Sequence, residues 1–392
     1  MTIKYVEIRS QPDEGISVGS WESTNPGWNF LNITHTHLHN NGSGMKTYGY
    51  TMQGVSTYAI GSITVSYSEF DHNESSGLVI CGASEGAVTA CSFHHNRSTG
   101  GCWTWGTSGI VIDHCISHDN LKGDAPDGFG FDLDGGSQNC TIQYCLSYRN
   151  ETPGFVIFDY PQSANTANNV IRYCISENDV RLDKEWGSFE IFPWGDTPIK
   201  NCHIYNCVAY LTSRAGKTSI SGFEAYGQQT KSGYYYSGKT TGCSFRNNVI
   251  YLDKPGSDMR FLTCNPGATQ LTQVAIQNNI YYSSEHESSI YFLDRLYTKF
   301  EDWKSSFPYQ ESLNGTRLER VMDPCFSSLG GGCEIIDPQG INSINSYRPA
   351  FFSPCHNNGL ELNRLFGIDQ GSFDFSDNTL PSNGPFSIGA FQ

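Results

Sequence analysis

A nine-residue motif returns along most of this chain, and few folds can accommodate it. Clear copies are Val65–Asn73, Val88–Asn96, Ile112–Asn120, Ile142–Asn150 and Ile171–Asp179. An earlier one spans Ile33–Asn41, and drifting ones start at Ile204, Phe245 and Ile276. One column of the alignment reads Thr36, Ser68, Cys91, Cys115, Cys145, Cys174, Cys207, Asn248, Asn279. Its steps are 32, 23, 24, 30, 29, 33, 41 and 31 residues. A floor near 23 with longer variants describes a fixed coil carrying loop insertions. After most copies a Gly-containing turn leads into a second short run, such as Gly77-Leu-Val-Ile-Cys81 or Gly154-Phe-Val-Ile-Phe158. These runs are β-branched or aromatic and bounded by turn residues. With no helical period between them, they predict an all-β parallel solenoid, because one coil cannot bury its apolar face alone. A propeller or sandwich would need a regular series of hairpin turns, which the sequence lacks.

The coils are expected over residues 1–282, with the last coils and a loop-rich extension over 283–392, in one domain. Phe300-Glu-Asp-Trp-Lys304 reads as a short helix. The ladder Asn41, Asn73, Asn96, Asn120, Asn150 suits turn positions, since Asn tolerates left-handed backbone and bonds neighbouring peptides. Five of the 14 Cys share one column and are expected as small buried hydrophobes. No CxxC pair suggests zinc. Cys325, Cys333 and Cys355 lie outside the repeat and are better placed for disulfides. His94, His95, His114 and His118 lie in the turn ladder and read as structural polar residues.

Alternation within the second run puts Phe131 and Leu133 inward and Asp132 and Asp134 outward. The same register gives an outward column of Val79, Trp103, Asp132, Val156, Glu190 and Glu224. Beside it runs Cys81, Trp105, Asp134, Phe158, Phe192 and Tyr226. Aromatics and carboxylates thus share one stripe, the pattern of a sugar-binding cleft. Asp132 and Glu190 would lie two coils apart, roughly 10 Å, and Glu190 and Glu224 one coil apart, about 5 Å. Glycoside hydrolysis needs carboxyls about 5–5.5 Å apart for retention, or roughly 6.5–9.5 Å for inversion. Asp132 and Glu190 are therefore the expected acid/base or nucleophile pair, with Asp134 and Glu224 orienting them. Trp103, Trp105, Phe158, Tyr160, Trp186, Trp194 and Tyr226 would line sugar subsites. Arg181, or Lys184, would meet an anionic sugar or act as the base of a lyase. The competing readings are a solvated strand end for Asp132 and Asp134, surface packing for the Trp pair, and a charged solvated loop for Arg181. A calcium ion on Asp127, Asp132 and Asp134 is another, although the spacing is not that of an EF-hand.

Charge narrows the partners. Lys+Arg 24 against Asp+Glu 39 gives a net −15, against nucleic acid or an anionic membrane. No apolar stretch reaches the roughly 20 residues of a membrane-spanning helix. Met1-Thr-Ile-Lys-Tyr-Val-Glu-Ile-Arg9 reads as a strand, not a signal peptide.

These motifs resemble the right-handed parallel β-helix proteins of the pectate-lyase-like superfamily, notably secreted bacterial carbohydrate-active ones. The likeness rests on Trp103-Thr-Trp105, Asp127-Gly-Phe-Gly-Phe-Asp-Leu-Asp-Gly-Gly136, Asn169–Asp179 and the ending Ser353-Pro-Cys355 to Ile388-Gly-Ala-Phe391. It covers about residues 15–392. It implies a secreted or cell-surface protein acting on an oligo- or polysaccharide. The calcium-Asp cluster with a Lys or Arg base is not clear, and the Asp-Pro-His-Asp motif of alginate epimerases is absent. Both departures favour neutral glycans and a glycoside hydrolase over a polysaccharide lyase. The repeat begins almost at once, near Gly15, so an uncapped first coil would offer a sheet edge for self-association. A non-catalytic, filament-forming surface protein is the third reading.

Overall fold

The computed structural model describes residues 1–392 except 20–27, 49, 53–54, 58–59, 124–126, 161–162, 164, 183–185, 196, 214–219, 227–229, 232–233, 236–238, 257–258, 266–273, 286–287 and 294. Each coil contributes one strand to each of three long sheets, here numbered 1 to 3. The sheets hold 10, 11 and 11 strands among the described residues. Coil-to-coil pairing is parallel, and the chain is a right-handed parallel β-helix.

The repeat is the register. In sheet 1, Ile33, Val65, Val88, Ile112, Ile142, Ile171, Ile204, Phe245 and Ile276 pair in that order from coil to coil. All are buried in one continuous core. In sheet 3, Phe131, Phe155 and Phe189 stack with centroids 5.3 and 5.0 Å apart. Cys91, Cys115, Cys145, Cys174 and Cys207 lie in the same core, fully buried and unpaired. Cys325, Cys333 and Cys355 are also free thiols, so the expected disulfides do not form here.

Two sharp corners bend each coil. Between sheets 1 and 2, one residue such as Tyr67, Ala90, His114 or Tyr144 takes φ of 50–54°. Between sheets 2 and 3, His72, His95, Asp119 and Arg149 do the same. A non-glycine residue there costs about 1–3 kcal/mol. Bonds between coils, such as Ala90 N–H to the Asp113 carbonyl at 3.2 Å, help offset it. The ladder Asn residues follow these corner residues and are not themselves left-handed, which corrects one expectation. Their side chains point inward and bond one another. Asn73 donates to Asn96 (2.8 Å), Asn96 to Asn120 (3.1 Å), Asn120 to Asn150 (2.8 Å) and Asn150 to Asp179 (2.9 Å). The outward-facing residue before each Asn is the one that makes the turn.

The last coils close differently. Helix Phe300–Ser306 lies where expected and plugs the core end with Phe300 and Trp303. The following segment packs on the outside of sheet 2. Ile341, Ile344, Tyr347, Phe375, Ile388 and Phe391 cover Ile116, Leu146, Ile175, Val208, Val249 and Ile280. Sheet 2 is thereby buried on both faces over these coils, while sheet 3 keeps its own outer face.

Candidate active site on the third sheet

Sheet 3 carries the expected columns in the expected register. Trp103 pairs with Asp132, Asp132 with Val156, Val156 with Glu190, and Glu190 with Glu224. Cys81 pairs with Trp105, and Phe158 with Phe192. The inward neighbours Phe131, Leu133, Phe189 and Ile191 are in the core, so the carboxylates point outward.

Outward is not exposed, and this corrects the open stripe. Asp132 has 4% of its surface accessible, and Glu190 and Glu224 have none. Nearby, the Trp186 ring meets Phe129 at 6.1 Å and Phe192, on its own strand, at 5.9 Å, and packs against the core. Glu224 also turns back to accept from Ser221 Oγ at 3.3 Å.

Half-exposed groups form the rim. Asp127, Asp134, Trp103, Trp105, Phe158, Tyr160, Trp186 and Trp194 are all partly accessible. Trp105 and Tyr160 stand 6.0 Å apart, and the Tyr160 ring lies against Gly135, where a Cβ would come within 2.7 Å of it. Phe158 stacks on Phe192 at 5.1 Å and meets Trp194 at 6.0 Å. Trp103 Nε1 donates to Ser76 Oγ at 2.8 Å, fixing its ring. Behind the rim, Asp159 accepts from Thr166 at 2.8 Å and from Ser163.

Electrostatics sets the cluster apart. Burial raises the Asp132 carboxyl well above its usual range, and the charges of Asp134, Asp127 and Glu190 raise it further. Burial raises Asp134 as well, with Asp127 and Asp159 adding to the shift against the Gly135 N–H bond. Burial pushes Asp127 up to about 6, with Lys122 pulling the other way. Among the described residues, Asp132 Oδ1 has no hydrogen-bond donor, so it is a natural seat for a shared proton. Asp127, expected only as a cation ligand, acts by its charge on both Asp132 and Asp134, which its place in the sequence did not show.

Other expected residues lie elsewhere. Arg181 donates to Asp119 Oδ1 at 2.8 Å and to the Arg149 carbonyl at 2.9 Å, away from the carboxylates of sheet 3. Lys184 and the Tyr226 side chain lie outside the described residues. For calcium, three carboxylates are the right donors, but their geometry does not fit. Among the described residues, the sets of three whose ligand atoms lie within 4.8 Å of one another are His72–His94–His95 and His37–Glu69–Asp71. Asp127, Asp132 and Asp134 do not converge in that way.

Residues 23–181 match a family model described as a right handed beta helix region. No curated protein matches the sequence. Among solved structures, the pectate lyase Pel9A superposes with a TM-score of 0.48 at 14% identity, covering 98% of this chain and 87% of that one. An endo-xylogalacturonan hydrolase from Aspergillus tubingensis gives 0.36 at 12% identity, covering 70% and 80%. PfbA, a surface adhesin of Streptococcus pneumoniae, gives 0.34 at 11% identity, covering 67% and 82%. The family match and the sheet topology together show a right-handed parallel β-helix.

Proposed function

We propose that this right-handed parallel β-helix is a glycan-active enzyme, a glycoside hydrolase of the secreted or surface type. The observation that carries this reading is the set of three carboxyls, Asp127, Asp132 and Asp134, all raised in pKa beside half-exposed rings of Trp103, Trp105 and Tyr160. Raised carboxyls keep a proton near neutral pH, as a general acid requires. Asp134, partly accessible and raised well above the carboxylate range, donates it to the leaving oxygen. Asp127, accessible and ionised above about pH 6, is the carboxylate that acts as base or nucleophile. Asp132, more deeply buried, holds the proton balance between them. Glu190 raises Asp132 from below and serves as a positioning residue. The rings of Trp105 and Tyr160 give sugar faces a flat apolar platform.

A hydrolase leaves a new reducing end, whereas a lyase leaves an unsaturated uronate that absorbs in the ultraviolet. Incubation with a panel of neutral and uronate glycans, reading both signals, tests the proposal. New reducing ends without ultraviolet absorbance are expected, lost by about 10²-fold or more in Asp134→Asn or Asp127→Asn. The rate should rise as pH rises through about 6, because Asp127 then carries the charge it needs as base or nucleophile. Full activity in both variants, or no glycan cleaved, would sink the assignment. Elimination has one observation of its own: the Lys122 charge acts directly on Asp127, and an ammonium there can neutralise a uronate carboxylate and stabilise the anion that elimination forms. Ultraviolet-absorbing products lost in Lys122→Ala would establish that chemistry instead.

A further inference from the structure

On the outer face of sheet 2 and at its corner into sheet 3, His37, His72, His94 and His95 gather beside Glu69 and Asp71. We propose that His72, His94 and His95 form a binding site for one divalent transition-metal ion of the zinc class. Their ligand nitrogens already lie within 4.8 Å of one another. The Nδ1 atoms of His94 and His95 stand 3.0 Å apart. Two nitrogens on one tetrahedral zinc stand about 3.3 Å apart, given Zn–N of about 2.0–2.1 Å. Without an ion this contact needs a proton between the rings, and the ion replaces that proton. His72 occupies the corner one coil before that of His95, so the third nitrogen comes from the preceding coil; the two rings, parallel with centroids 4.8 Å apart, tilt to face a shared ion.

The outer partners support a site more than a chance cluster. A metal-bound histidine usually donates its other ring N–H to a carboxylate, which fixes the tautomer. His94 Nε2 is 2.9 Å from Glu69 Oε1, leaving Nδ1 for the ion. His72 Nδ1 is 2.5 Å from Asp71 Oδ2, leaving Nε2. Asp71 is itself buried and also bonded to His37, so it does not swing. That bond occupies the second cluster, His37–Glu69–Asp71, as the outer shell of the first. The donor set is imidazole, which suits zinc, copper or nickel, not calcium. Three protein ligands with His72 and His95 exposed leave a fourth position to water or an outside ligand. Ligands from two successive coils make the ion a clip across the solenoid.

The test uses the untagged full chain. Zinc is titrated by calorimetry, and cobalt is added separately to read its visible absorption. One ion per chain and a tetrahedral cobalt spectrum are expected, with a higher melting temperature in zinc. The double variant His72→Asn/His95→Asn keeps a residue that tolerates the left-handed backbone of both positions. It should lose the ion while melting as the metal-free parent does. Glu69→Gln should weaken binding about 10–100-fold. His37→Asn should retain the site. No binding at one equivalent, or binding equal in parent and double variant, would overturn the proposal. So would a site abolished by His37→Asn but not by the double variant.

Discussion

Asp132 points away from the core and yet keeps 4% of its surface. Burial is the largest cause of the raised Asp132 carboxyl. The ring to test as its cover is Trp186, which meets Phe129 and Phe192. Trp186→Ala should admit water and bring that carboxyl back toward the ordinary range. The measurement is a titration of Asp132 by carbon-detected magnetic resonance, with an unchanged midpoint speaking against the cover. Arg181 shows the opposite lesson. Its charge suited an anionic sugar in the sequence, but Asp119, two coils back on sheet 2, already holds it. A residue's type was legible; the neighbour that claims it belongs to another coil and was not.

Ladders act as elements in their own right. The Asn ladder ends on a carboxylate, Asp179, fully buried and pushed up to about 6 by burial. Asp179 accepts from Asn150 through backbone and side chain and from Ser176 Oγ at 2.6 Å. Its folded pKa lies above the unfolded value of about 3.9, so the native state binds more protons between them. The sign follows: stability falls as pH rises from about 4 to 6 and stays lower above. Asp179→Asn continues the ladder without that penalty. It should gain on the order of 2–3 kcal/mol at pH 7 and flatten the pH dependence of denaturant unfolding. Unchanged stability at pH 7 would show that the carboxylate is already compensated. The motif ending Glu-Asn-Asp179, in place of the usual Asn, was visible in the sequence. Its burial was not, because only stacking puts that position inside.

At the scale of the molecule, the segment from Asp323 onward is a cover for sheet 2. Tyr347 is its anchor, fully buried with its hydroxyl on Glu177 Oε2 at 2.5 Å. Tyr347→Ala should cost about 3–5 kcal/mol, through the cavity and the lost hydrogen bond to Glu177, which keeps the Gly332 N–H. Limited proteolysis should then cut within 323–392 before the coils, and an uncut variant would show that the segment holds by its other contacts. Without this cover, Ile116, Leu146, Ile175 and Val208 would face water. Their outward position explains why the repeat looked more apolar than a one-faced strand: sheet 2 is buried on both sides.

The periodic motif determined by itself that the chain is a parallel solenoid, which residues share a column, and which way each side chain points. Those properties are local, since a repeat of period two within a strand and of one coil between strands leaves one register that buries the apolar set. Only the tertiary structure decided which outward residues meet water. Cover comes from segments distant in sequence, as Tyr347 over sheet 2 and Asp119 on Arg181 show. Burial, and with it the proton affinity of each carboxyl, is a property of that cover and not of the strand that presents it.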